Sequence, residues 1–367
     1  LAGSYLGIIF YLIGVYHNHG WLPEPVFLIQ ILLLTTVQAL VMVSGAVVIS
    51  TQTTSVRAAN LLAPFIIIPM MLIIQGESIV MFWGRYSVLW WIIFAQLLIA
   101  SLLIRSGIAH FNREELLGKE IDALNFRWAW QIFKQAFLKS VLKDTISIRS
   151  EPTSLWLRWL GWYRREVGQA INKLKAPMII MTITLIIAFW IGIDLAHQFI
   201  LPSGLLNLDK LDKGVFPGLE ILPIYKTGGV LWIWLHNLGA LLLATVSGVF
   251  TFGVLGVMLP ALPLTILGYL MTSLSRVGVP AQSFLTIFVL PHGVLEIPAI
   301  IIAGAAILRL GATLATPAKG QTIGEAWLCS LADWAKVMAA VVMPLLLGAA
   351  FLEVFLTPLV VARFFGI

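Results

Sequence analysis

Uninterrupted apolar runs of about 20 residues recur along the whole chain, and no other feature restricts its fold as much. About 20 residues is the length an α-helix needs to cross roughly 30 Å of hydrocarbon. In lipid no water bonds the backbone, so a spanning segment must be a helix or part of a closed barrel. These runs are continuously apolar and do not alternate, so helices are expected. Nine candidate spans follow: Leu1–Tyr16, Phe27–Ser50, Leu61–Phe82, Val88–Ile104, Pro177–Ala196, Val230–Gly248, Thr251–Leu274, Phe284–Leu308 and Val337–Leu356. The Gly-rich pair Val230–Leu274, with Pro260 and Pro263, has the pattern of a broken or re-entrant helix. The reading is all-α: a polytopic integral membrane protein with about nine transmembrane helices and two cytoplasmic amphipathic helices. Of the residues, 60% are hydrophobic and 11% charged. Soluble domains carry about 25% charged residues, so a soluble enzyme is excluded.

Charge placement orients the spans. Arg57, thirteen Lys/Arg between Arg105 and Lys175, and Arg309, Lys319 and Lys336 fall on one side. Arg85, Lys210, Lys213, Lys226, Arg276 and Arg363 fall on the other. The basic side is cytoplasmic by the positive-inside rule, which puts the chain in the cytoplasmic membrane with 105–175 inside. The same stretch divides the chain into residues 1–108, with about four spans, a basic amphipathic linker 109–175, and residues 176–367, with about five. Within the linker Trp130, Phe133 and Phe137 share one helical face, as do Trp156, Trp159, Leu160 and Tyr163, with Arg158, Arg164 and Arg165 interleaved. Two readings fit: anchoring on anionic lipid, and docking of a cytoplasmic partner. The chain starts at Leu1 within an apolar run that lacks a basic n-region, so it is expected to begin part-way along a helix.

Chemistry narrows to a few residues. The single cysteine, Cys329, excludes a disulfide framework and a Cys-based metal site within this chain. No Walker-type phosphate loop and no H-E-x-x-H helix occur, so a nucleotide, if used, is held by another polypeptide. The chain is read as no enzyme, with no cofactor of its own and no nucleic-acid partner. Ionisable groups inside spans cost about 3 kcal/mol on insertion scales and so face the protein interior or water. They are Glu77, His236, His292, Glu296 and Glu353, with Asn237 beside His236; Asp194 is set aside because it sits at a helix end. His292 and Glu296, at i and i+4, share a face, and Pro291 and Gly293 beside them predict a locally opened backbone. Helix-to-helix packing bonds, a proton or substrate pathway, and a metal site of two His and two Glu all fit this set. Ala240, Ala244 and Gly248, and Ala299 and Ala303, form small-residue rows suited to close helix packing.

Two resemblances join this reading. Leu290-Pro291-His292-Gly293-Val294-Leu295-Glu296-Ile297-Pro298-Ala299, followed by Ala303-Gly304-Ala305, resembles the signature of the stage II sporulation protein M family. His236-Asn237-Leu238 and Leu352-Glu353-Val354-Phe355-Leu356-Thr357-Pro358 resemble its other landmarks. The resemblance covers about Leu155 to the C-terminus and implies a five-span membrane domain. In the first half, Val43-Ser44-Gly45-Ala46, the run Ser50–Asn60 and Phe65-Ile66-Ile67-Ile68-Pro69 resemble the later spans of type 2 ABC exporter permeases. Phe111 to Gly118, with Arg113, Glu114 and Glu115, resembles the stretch after the last span of that family. This second resemblance implies a permease subunit moving a substrate with ATP and Mg on a separate ATP-binding subunit, in a homodimer or larger membrane complex. The first implies a non-transporting scaffold in a membrane assembly.

Overall fold

The spans begin and end where the sequence places its helix punctuation. A computed structural model of the chain describes residues 1–52, 60, 62–82, 84, 86–110, 126–146, 160–200, 228–276, 278, 280–315 and 323–365. These residues form eleven helices. In the first compact unit, Leu1–Leu124, they are α1 (Ala2–His19), α2 (Pro25–Gln52), α3 (Pro64–Phe82) and α4 (Tyr86–His110). Gly20, at φ 68°, ends α1 by donating its N–H to Tyr16 O. Pro25 and Pro64 open α2 and α3, at the first helical position where a missing N–H costs nothing. Leu34, Val37 and Val41 of α2 pack on Met70 of α3 and on Leu89, Ile93 and Ala100 of α4. The Tyr5 hydroxyl reaches Thr36 Oγ1 at 2.5 Å, tying α1 to α2.

The second unit, Asn125–Ile367, contains α5 (Phe126–Ile146), α6 (160–172), α7 (Lys175–Gln198), α8 (Gly229–Phe250), α9 (Val254–Arg276), α10 (281–315) and α11 (323–365). Among the described residues eight helices, α2–α4 and α7–α11, are long and apolar enough to cross a membrane. The chain is a multi-pass membrane protein. The ninth expected span, α1, is a helix with no buried residue, and it ends in His17-Asn18-His19.

The two candidate spans Val230–Gly248 and Thr251–Leu274 are two full-length helices, α8 and α9, joined by a tight turn, and neither is broken. Phe252 (φ 52°) and Gly253 (φ 98°) reverse the chain, and Gly253 N–H donates to Gly248 O at 2.7 Å. The Thr251 hydroxyl accepts from Leu255 N–H at 3.0 Å, at the start of α9. Pro260 and Pro263 lie inside α9 without ending it. A Cβ on Gly311 of α10 would sit 2.3 Å from Gly253 N, so this turn is pressed directly onto α10.

α10 is the central helix: Ala299, Ala303, Ala305, Ala306, Ile307 and Leu310 are all buried, and α7, α8, α9 and α11 pack against it. Both residues of the second small-residue row are therefore interior. Of the first row Ala244 and Gly248 are buried but Ala240 is exposed.

Prolines also shape α10 and α11. A proline cannot donate to the carbonyl four residues back, and its ring clashes with that carbonyl. Pro291, Pro344 and Pro358 each lie four residues beyond the middle of a π-turn: Leu285–Val289, Met338–Val342 and Leu352–Leu356. The wider turn relieves the clash, and neighbours take up freed carbonyls. The Tyr163 hydroxyl, for example, donates to Ala340 O at 3.3 Å.

At about 1.5 Å per residue α11 is roughly 65 Å long, about twice the hydrocarbon thickness. Its first stretch, Ile323–Val337, packs on α5, α6 and α10. Trp130, Phe133 and Phe137 of α5 stack in sequence, as their shared face predicts, and Phe137 continues onto Trp162 of α6. The inward face of α6 differs from expectation. Trp162, Glu166 and Val167 are buried, whereas Leu160 and Tyr163 are exposed. Trp156 and Trp159 lie outside the described residues.

Candidate functional site

Three helices of the second unit bring polar side chains together inside the apolar bundle. On α10, one turn beyond the π-turn, His292 Nε2 lies 3.8 Å from Glu296 Oε2, the i, i+4 pair expected on one face. From α8, Asn237 Nδ2 donates to Glu296 Oε1 at 3.3 Å. From α11, Thr357 Oγ1 lies 3.5 Å from His292 Nδ1. Glu353, one turn earlier on α11 and within a π-turn, is in electrostatic reach of Glu296. The predicted opening of the backbone is the π-turn Leu285–Val289, one turn ahead of Pro291. Chemically, an imidazole and two carboxylates in one apolar layer can bond across helices and exchange protons. Among the described residues no three His, Cys, Asp or Glu side chains are grouped so as to hold a metal ion.

A second polar layer lies about 20 Å further along α10, at 1.5 Å per residue. Here Lys336 of α11 is only 3% exposed and donates to Glu166 Oε2 of α6 at 2.9 Å, itself 8% exposed. Lys336 also reaches Asp333 Oδ1 at 3.4 Å. Asp333 Oδ2 takes Lys173 Nζ at 2.8 Å and Arg309 Nη2 of α10 at 3.9 Å. In the sequence Arg309, Lys336 and Lys173 stand out only as charges that orient spans. The available signal was the i, i+3 pair Asp333 and Lys336 on an amphipathic stretch. Their partners, 160 and 170 residues away, could not be paired by spacing.

Residues 178–358 match the model of the family described as Stage II sporulation protein M. The second unit holds a SpoIIM family domain. The match takes in Asn237, His292, Glu296, Glu353 and Thr357, and extends to Arg309, Asp333 and Lys336. No curated protein and no solved structure matches the chain. The permease resemblance of the first half has no counterpart in these comparisons.

The other predicted residues are dispersed. In the SpoIIM domain His236 stacks on Trp232 of its own helix, ring centroids 5.4 Å apart, and is exposed; its neighbour Asn237 reaches Glu296 instead. Glu77 belongs to the other unit. It is 4% exposed and accepts from Gln38 of α2 and, at 2.5 Å, from Gln96 Nε2 of α4. It ties three helices and sits within the continuous α3. Arg164 and Arg165 are exposed on α6. Arg113, Glu114, Glu115 and Arg158 lie outside the described residues.

The ties inside the SpoIIM domain have a measurable consequence. Glu296→Leu removes the acceptor for Asn237 and the partner of His292. Interhelical bonds in membranes contribute about 0.6 kcal/mol each on average, and a stranded part-buried amide adds to the loss. A destabilisation of about 1–2 kcal/mol is expected from thermal unfolding of the full chain in detergent. An unchanged midpoint would remove these bonds from the account of the bundle.

Proposed function

We propose that the chain is a non-transporting scaffold subunit of the sporulation protein M type, set in the cytoplasmic membrane with residues 105–175 on the cytoplasmic side. The observation that carries this reading is the SpoIIM match over residues 178–358, whose polar landmarks turn onto one another. Asn237, His292, Glu296 and Thr357 link α8, α10 and α11. Cross-helix links of this kind hold spans in one arrangement, and a fixed arrangement presents partners with a constant surface. Leu231, Leu235, Leu242 and Leu243 on α8, and Ile179, Ile183 and Ile186 on α7, are exposed apolar side chains of the sort that meet lipid or the spans of a partner. A second copy of this chain or another membrane protein would occupy part of that surface.

The competing reading is an ABC-type permease subunit driven by a separate ATP-binding subunit. It rests on the resemblance of residues 43–69 and 111–118. The two readings separate when the full chain is extracted from its native membrane into nanodiscs and the intact assembly is weighed. A scaffold gives a stoichiometric membrane assembly without a nucleotide-binding subunit, unchanged by ATP and Mg. A stoichiometric ATPase subunit, with a nucleotide-dependent conformational change, would overturn the proposal in favour of the permease. A chain that is always a lone monomer would overturn both.

A further inference from the structure

The charged layer of the second unit borders a cavity of about 810 Å³, within the range of ligand sites. α5, α6, α10 and α11 all contribute to its wall. The wall is not electrically balanced. Lys336 is matched by Glu166, leaving one carboxylate, Asp333, to face both Lys173 and Arg309. Among the described residues three cations and two anions line the space, so their sum leaves one positive charge in surplus. That surplus is at the accessible side: the Lys173 side chain is 49% exposed and Arg309 29%, whereas Lys336 is buried. Beside them the hydroxyls of Thr313 and Ser330, 3.2 Å apart, and the amides of Gln135 and Gln169 line the same cavity. This set can offer an anion two charged donors together with the Ser330 hydroxyl and amide donors, the Thr313 proton being given to Arg309 O at 2.7 Å. A phosphate, with several acceptor oxygens, can use more of these donors than a carboxylate can.

The position points to the same chemistry. Arg309 closes the apolar stretch Ile297–Leu308 of α10, Lys173 lies just before α7 begins, and Lys336 directly precedes the apolar part of α11. All three therefore sit at the ends of strongly apolar stretches, next to more polar chain. Basic pockets between spans at this level suit anionic headgroups. We propose that this cavity binds a net-anionic phosphate group, held between Lys173 and Arg309, whose source is a lipid headgroup or a free phosphate ester. This does not depend on the scaffold reading, since either a scaffold or a permease could carry such a site.

The test uses the purified full chain in two arms. In the first, nanodiscs contain phosphatidylglycerol or phosphatidylcholine, whose choline cancels the phosphate charge, and lipid retained on ejection is counted by native mass spectrometry. In the second, inorganic phosphate and glycerol 3-phosphate are titrated calorimetrically. Retention of phosphatidylglycerol over phosphatidylcholine identifies a lipid source, and heat from the soluble probes identifies a free one. Either should weaken roughly tenfold or more in Lys173→Gln/Arg309→Gln, which removes two charge-assisted donors. That variant also disturbs Asp333, so Ala136→Glu is the second variant. It keeps every ion pair and adds an anion to the cavity wall. Equal loss in a normally folded Ala136→Glu supports the site. Absence of selective binding in both arms would overturn it, as would binding that survives Ala136→Glu unchanged.

Discussion

Lys336→Met should destabilise the protein by about 3–5 kcal/mol, the usual cost of removing one partner from a buried ion pair. Lys336 is 3% exposed, and its ammonium bonds to Glu166 and Asp333 from inside the junction of α6 and α11. Methionine fills much the same volume, so the loss is electrostatic and does not come from a void. Asp333 keeps Lys173 and Arg309. Among the described residues Lys336 is the one cation paired with Glu166, whose carboxylate stays largely out of water once Lys336 is gone. The double replacement Lys336→Met/Glu166→Leu should recover most of the loss, since an apolar pair of similar size is often neutral or better than a buried ion pair. Unfolding of wild type, single and double variants in the same detergent checks both statements. A single variant within about 1 kcal/mol of wild type would mean that water already shares this junction.

Gly192→Leu should be at least as damaging to α7 and α9. A Cβ at Gly192 would sit 2.0 Å from Thr265 O and 2.9 Å from Tyr269 N, and one at Gly268 would sit 2.3 Å from Phe189 O. These are backbone atoms of the facing helix, so no rotamer change can make room. The two helices must move apart, losing the packing that holds spans together in lipid. Overpacking a core costs about 1–3 kcal/mol where side chains can adjust, so about 3 kcal/mol or more is expected here. Gly239→Ala is the matched control: nothing lies within 4 Å of its Cβ, and alanine favours the helix by up to about 1 kcal/mol. A lower unfolding midpoint for Gly192→Leu, with none for Gly239→Ala, is the expected result. Equal behaviour would show that α7 and α9 do not meet at Gly192.

The elements that could be read from the chain are those set by local chemistry. Span lengths, the helical punctuation at Gly20, Pro25 and Pro64, and the pairing of His292 with Glu296 all depend on residues close in sequence. The face of α5 was likewise visible, because Trp130, Phe133 and Phe137 stand out from polar neighbours. The inward face of α6 was not, because Leu160 and Tyr163 beside Trp162 offered an equally plausible face, whereas Trp162 and Glu166 are the buried ones. The hairpin between α8 and α9 was obscured for a related reason. Gly and Pro there read as a break, yet Gly253 serves the reversal and Gly256 and Gly268 serve close packing.

Sequence alone determined that this is an all-α multi-pass protein, where its spans lie, and that His292 and Glu296 share a face. Tertiary structure decided which helices supply their partners: Asn237 rather than His236, Thr357 from α11, and Glu166 for Lys336 across 170 residues. It also decided which apolar residues are interior. On α7, Met181 and Leu185 are buried while Ile179, Ile183 and Ile186 are exposed, with no difference in polarity between the two sets. The physical reason is that lipid tails are as apolar as leucine. A helix in a membrane therefore carries little hydrophobic contrast between its inner and outer faces, and only the fit of small residues and the meeting of rare polar groups distinguishes them.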